Sequence, residues 1–142
     1  MRRGTTLPEL LVVIALVAIS TALGVPSLRY AMDRRAVENE TQALIQAHTE
    51  ARLAAITTQR TALLTIAADS IVLRTARNGD TLVVWRRPGP AAYGVTVAGA
   101  SHLFRFIPYG YSIGASNTTY TLTRGSAKRK VIIARYGRVR VE

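Results

Sequence analysis

The sequence predicts an α+β chain: one long N-terminal α-helix, transmembrane and then amphipathic, packed on a small antiparallel β-sandwich head. Three observations carry this reading. Leu10 to Val25 is an apolar run broken only by Ser20, Thr21 and Gly24. Beyond it, apolar residues recur at spacings of three and four, the signature of a helix with one buried face. From Thr61 onward, short β-branched or alternating runs are separated by turn-forming steps.

The opening residues are Arg2, Arg3 and Gly4, then Thr5-Thr6-Leu7-Pro8-Glu9 and the apolar run. At sixteen residues the run falls short of the ~20 that span a bilayer. Leu7, Pro8 and the Pro26-to-Leu28 turn extend the run to a workable length, with Arg29 as an interfacial anchor. Pro8 sits in the first turn, where its missing N–H does no harm. Pro26 is interior and is expected to kink or open the helix. A secretory signal also begins with basic residues and an apolar core. Its core does not open on a carboxylate, which costs roughly 2.5–3.5 kcal/mol in hydrocarbon. An ordinary signal cut near Ala22 or Gly24 therefore leaves Glu9 unexplained.

After Pro26, Leu28, Met32, Val37, Leu44, Ile45, His48, Ala51 and Ala55 form a stripe with one gap near Thr41, and charged residues lie mostly between them. The helix is expected to end near Thr57, some 80 Å from its start at 1.5 Å per residue. His48 falls on the stripe and reads as a packed core histidine. Seven strands follow: Thr61–Ala67, Ser70–Thr75, Thr81–Arg86, Tyr93–Val97, Leu103–Ile107, Thr119–Thr123 and Lys130–Val141. Asn78-Gly79 and Pro88-Gly89-Pro90 are among the turns between them.

At 142 residues the chain can hold one modest domain beyond its helix. It has no cysteine, so no disulfide, and neither His48 nor His102 sits in a ligand cluster. No cofactor or metal is expected. The net charge of +11 is unevenly spread. Thr5 to Asp80 holds seven Arg and seven Asp or Glu, whereas Thr81 to Val141 holds ten basic residues and no acidic one. Such asymmetry points to a polyanion or an anionic surface. A GC-rich coding sequence accounts for arginine over lysine but not for the missing carboxylates.

The N-terminus resembles that of type IV pilins and type II secretion pseudopilins. The resemblance implies that a prepilin peptidase cuts between Gly4 and Thr5 and methylates the new N-terminus, leaving Glu9 as the fifth mature residue. The first mature residue in that family is usually Phe, and here it is Thr5. Pro26 falls where many pilins carry a helix-kinking proline. A buried charge persists only with a partner, and the resemblance supplies one: the Thr5 ammonium of a neighbouring subunit against Glu9. The helix end Ala47-His48-Thr49-Glu50-Ala51-Arg52-Leu53-Ala54 is similar to that of the GspH/FimT branch, as is Phe106-Ile107-Pro108-Tyr109-Gly110. So is the end, from Lys130 through Gly137-Arg138-Val139-Arg140, which resembles that branch's final hairpin with its closing G-R-x-R. The implied organisation is a leader at 1–4, a helix at 5–57 (membrane anchor about 7–28, amphipathic half about 29–57) and a β-rich head at 58–142, the pilin fold.

No catalytic constellation emerges, and the chain reads as a non-enzyme. Gly110-Tyr111-Ser112-Ile113-Gly114 matches part of a nucleophile-elbow pattern but lacks a following helix. The remaining candidate is the basic C-terminal end. Strand alternation puts Tyr136, Arg138 and Arg140 on one face and Val139 and Val141 on the core side. Arg135, Lys128, Arg129 and Lys130 extend the patch. Guanidiniums bind phosphate bidentately, and a phenol can stack on an unpaired base. In the FimT side of the family such an end is associated with binding DNA in natural transformation. The alternative is a basic edge that deters aggregation. Two roles therefore stand: a minor pseudopilin of type II secretion, or a type IV minor pilin that binds DNA. Both imply prepilin peptidase, other pilins and the bacterial inner membrane as partners, with a single-pass anchor and the head in the periplasm or on an extracellular filament.

Overall fold

The computed structural model describes residues 6–99, 102–113, 118–134 and 138–142, without the side chains at 23, 24, 26 and 102. The chain divides into two compact units, the first ending at Met32 and the second spanning Asp33–Glu142. A single helix, α1 (Leu7–Thr58), begins in the first and ends in the second. It continues through Pro26.

In the first unit the apolar side chains are uncovered. Leu10, Leu11, Val12, Ile14, Leu16, Val17 and Ile19 are each more than half exposed. The α1 sequence holds an 18-residue window of mean hydropathy 2.3, long and apolar enough to cross a membrane.

In the second unit, α1 buries Val37, Glu40, Thr41, Leu44, Ala47, His48, Ala51 and Ala55. The stripe differs from the expected one at its start and at its centre. Leu28 and Met32 are exposed, and the gap at Thr41 is closed: Thr41 is 1% exposed, its Oγ1 donating to the Val37 carbonyl at 2.8 Å. A hydroxyl that satisfies itself within the helix can be buried at little cost. Ala47, Ala51 and Ala55 line one face four residues apart, where a small side chain lets the helix lie close to its neighbours.

The head holds nine described strands rather than seven, in two antiparallel sheets. The first sheet has the order β3 (Asp80–Pro88), β2 (Ser70–Arg77), β1 (Thr61–Ile66), β5 (His102–Phe106), β6 (Ser112–Ile113). The second has the order β4 (Thr96–Ala98), β7 (Thr118–Arg124), β8 (Ala127–Ile133), β9 (Val139–Val141). Two expected strands fail. Pro90–Tyr93 is a 3₁₀ turn, with Pro90 in its first turn and Gly94 left-handed at φ 69°, so Tyr93 opens no strand. The expected strand Lys130–Val141 is two strands, β8 and β9, paired in register Val131↔Val141 and Ile133↔Val139.

Strand alternation supplies the core. Ala62, Leu64 and Ile66 of β1 face inward opposite Thr75, Leu73 and Ile71 on one side and Phe106 and Phe104 on the other. Tyr120 and Leu122 of β7 and Val131 and Ile133 of β8 join the same cluster from the second sheet, with Leu44 and Val37 from α1. Burying each such large side chain contributes roughly 1.5–3 kcal/mol. His48 lies in this core, edge-on to Phe104 and Phe106 with ring centroids 5.7 and 4.9 Å away.

Candidate functional site

The first candidate is the start of α1. Gly4 and Thr5, the expected cleavage pair, lie outside the described residues. Thr6 precedes the helix, and its N–H donates to Glu9 Oε2 over 3.4 Å. Thr6-x-x-Glu9 is a capping-box spacing, in which the carboxylate reaches back to the residue before the helix. The spacing Thr6-Leu7-Pro8-Glu9 displays this motif in the sequence itself. The bond is long, and Glu9 is exposed. Its carboxylate thus sits at the positive end of the helix dipole, above an uncovered apolar helix.

The second candidate is the basic end of the second sheet, and register decides which side chains act together. Thr121 opposes Lys130, Thr123 opposes Lys128, and Thr119 opposes Ile132, which opposes Arg140. The outer face therefore carries a threonine row flanked by Lys128, Lys130 and Arg140, all three exposed, with Arg138 exposed just before β9. Arg129 is a correction: it alternates with Lys128 and Lys130, turns to the opposite face, and pairs with Glu38 of α1 at 3.3 Å. Arg140 is also partnered, its Nη2 lying 3.3 Å from Glu142. Both partners are largely exposed, so that pair is worth under about 1 kcal/mol and yields to a stronger anion. Val139 packs against the core as expected, whereas Val141 shares its face but remains 39% exposed. Arg135, Tyr136 and Gly137 lie outside the described residues. Pro26, expected to act in subunit assembly, is within α1, and its side chain is likewise outside the description.

Two other arginines of the basic half are bound to the helix. Arg124 Nε meets Asp33 at 3.0 Å, and its Nη1 donates to the Tyr93 carbonyl at 2.8 Å. Arg87 donates to both oxygens of Glu50, at 3.2 and 3.0 Å, and its guanidinium lies 4.2 Å over the Trp85 ring. Burial, together with the nearby Arg52 cation, lowers the His48 pKa to about 4. The Nε2 atom of His48 has no hydrogen-bond partner among the described residues. Burial raises the pKa of Glu40. Among the described residues no three His, Cys, Asp or Glu side chains cluster as metal ligands.

A long helix whose second half shares a core with two antiparallel sheets is a type IV pilin-like fold. The chain is similar to the type IV minor pilin FimU of Pseudomonas aeruginosa in two crystal forms. In one, the TM-score is 0.63 at 15% identity, covering 77% of this chain and 90% of that one. In the other, it is 0.59 at 14% identity, covering 74% and 91%. No protein-family profile and no curated protein matches the sequence.

Proposed function

We propose that the chain is a membrane-anchored subunit of a pilin-like filament, processed by a prepilin peptidase between Gly4 and Thr5. One observation carries the reading: an all-round apolar helix segment, uncovered in the isolated chain, opens on the single carboxylate of Glu9. A helix that is apolar on every side is stable in lipid or inside a bundle, and a carboxylate there requires a cation. Among the described residues Glu9 has only a long bond to an amide. The ammonium of Thr5 from a neighbouring subunit supplies the missing charge. The likeness to a minor pilin supports the same reading through the fold. Glu9→Ala is expected to leave membrane insertion intact and to abolish incorporation into the filament. Normal co-purification of the variant with assembled filaments overturns the proposal.

Two filament contexts fit. A cysteine-free minor subunit of this kind suits a type II secretion pseudopilus. The pairing of Arg129 with Glu38 supports that role, since it withdraws one cation from the C-terminal patch. A specific observation favours the second context, DNA capture by a type IV pilus. Lys128, Lys130, Arg138 and Arg140 remain exposed at the sheet end, three of them on one face by register. Fluorescent duplex DNA titrated against the chain and its Arg138→Ala/Arg140→Ala variant at several salt concentrations separates the two. A steep log–log salt slope that the variant loses supports DNA capture. Absence of binding, or equal binding by both, supports the secretion role.

A further inference from the structure

The first sheet carries a second basic surface that does not involve the C-terminal strand. At one end of that sheet the chain leaves α1 at Gln59, which is left-handed at φ 52°, and enters β1. The β2–β3 turn, Asn78-Gly79, and the end of β5 lie at the same end, since Thr61 pairs with Ala76 and Ala62 with Phe106. Between them is a cleft of about 430 Å³ lined by Arg60, Arg77 and Arg105 with Asn78 and Pro108. A neighbouring cleft of about 370 Å³ shares Arg60, Arg77 and Asn78 and adds Asp80.

Three arginines are among the residues that line the larger cleft, and no Asp or Glu is. Among the described residues none of the three takes part in an ion pair. Converging like charges is unfavourable in the isolated chain and becomes favourable once an anion sits among them. Guanidinium is the group suited to bidentate contact with phosphate oxygens. The turn that follows Pro108, itself a lining residue, carries two tyrosines that lie outside the lining. Tyr109 and Tyr111 are 80% and 60% exposed, unusually high for such large side chains. Between them Gly110 adopts φ 79°, and a Cβ there would fall 2.8 Å from Ile56 Cδ1. The turn is therefore seated closely on α1 while its two phenols project outward. Its backbone is closed by hydrogen bonds from Gly110 N to Ile107 O at 2.8 Å and from Ile107 N to Tyr111 O at 3.0 Å.

We propose that this cleft binds the phosphodiester backbone of a single nucleic-acid strand, with Arg60, Arg77 and Arg105 on phosphates and Tyr109 and Tyr111 stacking on bases. Arginine beside exposed aromatic rings on a held turn is the combination that unpaired strands require. The carbonyls at the α1 C-terminus place a weak opposing potential nearby. Gln59 Nε2 partly offsets it by donating to the Ile56 carbonyl at 2.8 Å. The site is independent of the C-terminal strand.

The test uses the full chain in nonionic detergent micelles and a fluorescein-labelled single-stranded oligonucleotide. Salt is varied between about 50 and 200 mM, a range over which phosphate contacts change affinity steeply. Arg77→Ala/Arg105→Ala is expected to weaken binding at least tenfold and to flatten the log–log salt slope by about 1.4, for two phosphate contacts on a single strand. Tyr109→Ala/Tyr111→Ala is expected to weaken binding at unchanged salt slope. Arg138→Ala/Arg140→Ala serves as the comparison, so that failure of this site is distinguishable from failure of the C-terminal reading. Binding by Arg77→Ala/Arg105→Ala equal to that of the unaltered chain overturns the proposal, as does no binding by the unaltered chain. Competition by polyglutamate as effective as competition by unlabelled oligonucleotide also overturns it, assigning the cleft to an acidic protein segment.

Discussion

His48 makes the stability of the head depend on pH, and the size of the effect follows from its surroundings. It is 2% exposed between Phe104 and Phe106, its Nε2 has no described partner, and burial with help from Arg52 lowers its pKa from 6.5 to about 4. The folded pKa lies below the unfolded one, so between those values the unfolded chain binds the proton and the folded chain does not. Stability is then lost as pH falls through 6.5 towards 4. At about 1.4 kcal/mol per unit, the full loss is about 3 kcal/mol, and some 2 kcal/mol of it is reached by pH 5. Glu40 acts in the opposite sense, because its raised pKa makes the folded state the better proton acceptor as pH falls. The assay is urea unfolding in detergent at pH 7.5 and pH 5. It is followed by fluorescence of Trp85, the only tryptophan, which packs partly buried against the core. His48→Leu is expected to match or exceed the unaltered chain at pH 7.5 and to lose most of the decline by pH 5. Glu40→Gln is expected to steepen that decline. An unaltered chain equally stable at both pH values, or a His48→Leu variant with the same decline, refutes the reasoning.

Two further outcomes test the packing. Gly89 has an ordinary backbone at φ −84°, yet a Cβ there would lie 2.5 Å from the Ala68 carbonyl oxygen and 2.6 Å from Ser70 N. Gly89→Ala is expected to cost about 3 kcal/mol, because backbone cannot give way cheaply. Gly79→Ala, with φ 93° but open space, is expected to cost only about 1–2 kcal/mol; thermal midpoints in the reverse order contradict this. Phe104→Ala removes a fully buried ring and is expected to cost about 3–5 kcal/mol by urea unfolding, against under about 1 kcal/mol for Arg129→Ala.

The fold was legible wherever a residue's side-chain chemistry and its position agreed. The helix, β1, β2 and the core role of His48 follow from periodicity, and each falls within two residues of its expected bounds. The misses have separate causes. Thr41 looked like a break in the stripe because its hydroxyl suggests solvent, yet it is satisfied by Val37 within the helix. Tyr93 looked like a strand start because Pro-Gly-Pro reads as a turn that then ends, whereas here the turn continues through Tyr93 as 3₁₀. The Lys130–Val141 run alternates well enough to look like one strand, and alternation holds no record of where a hairpin folds back. Arg129 was decidable from the sequence: it shares parity with Val131, and a face that buries Val131 must also receive Arg129. By that parity Lys128 and Lys130 share one face and Arg129 the other. The cleft of Arg60, Arg77 and Arg105 was not decidable, because only strand pairing brings three such distant positions to one end of a sheet.

Pairing also changes what the charge asymmetry means. The carboxylates missing from Thr81–Val141 are partly supplied by α1: Asp33, Glu38 and Glu50 hold Arg124, Arg129 and Arg87. For these three arginines the imbalance between the two halves of the chain is an internal one, resolved when the strands meet the helix. No outside partner need be invoked for them. The same argument sharpens the remainder. Glu40 is buried, and Asp69 and Asp80 make no ion pair among the described residues. The second-unit part of α1 therefore has no further carboxylate to offer Arg60, Arg77 and Arg105, or Lys128 and Lys130. Asp80 borders the smaller cleft beside Arg60 and Arg77 without an ion pair to either among the described residues. A positive surface that persists after α1 has paired its carboxylates with the strands is the part of the net charge that calls for a polyanion. It lies at two separate places, and this is why the decisive comparison is between variants of one and variants of the other.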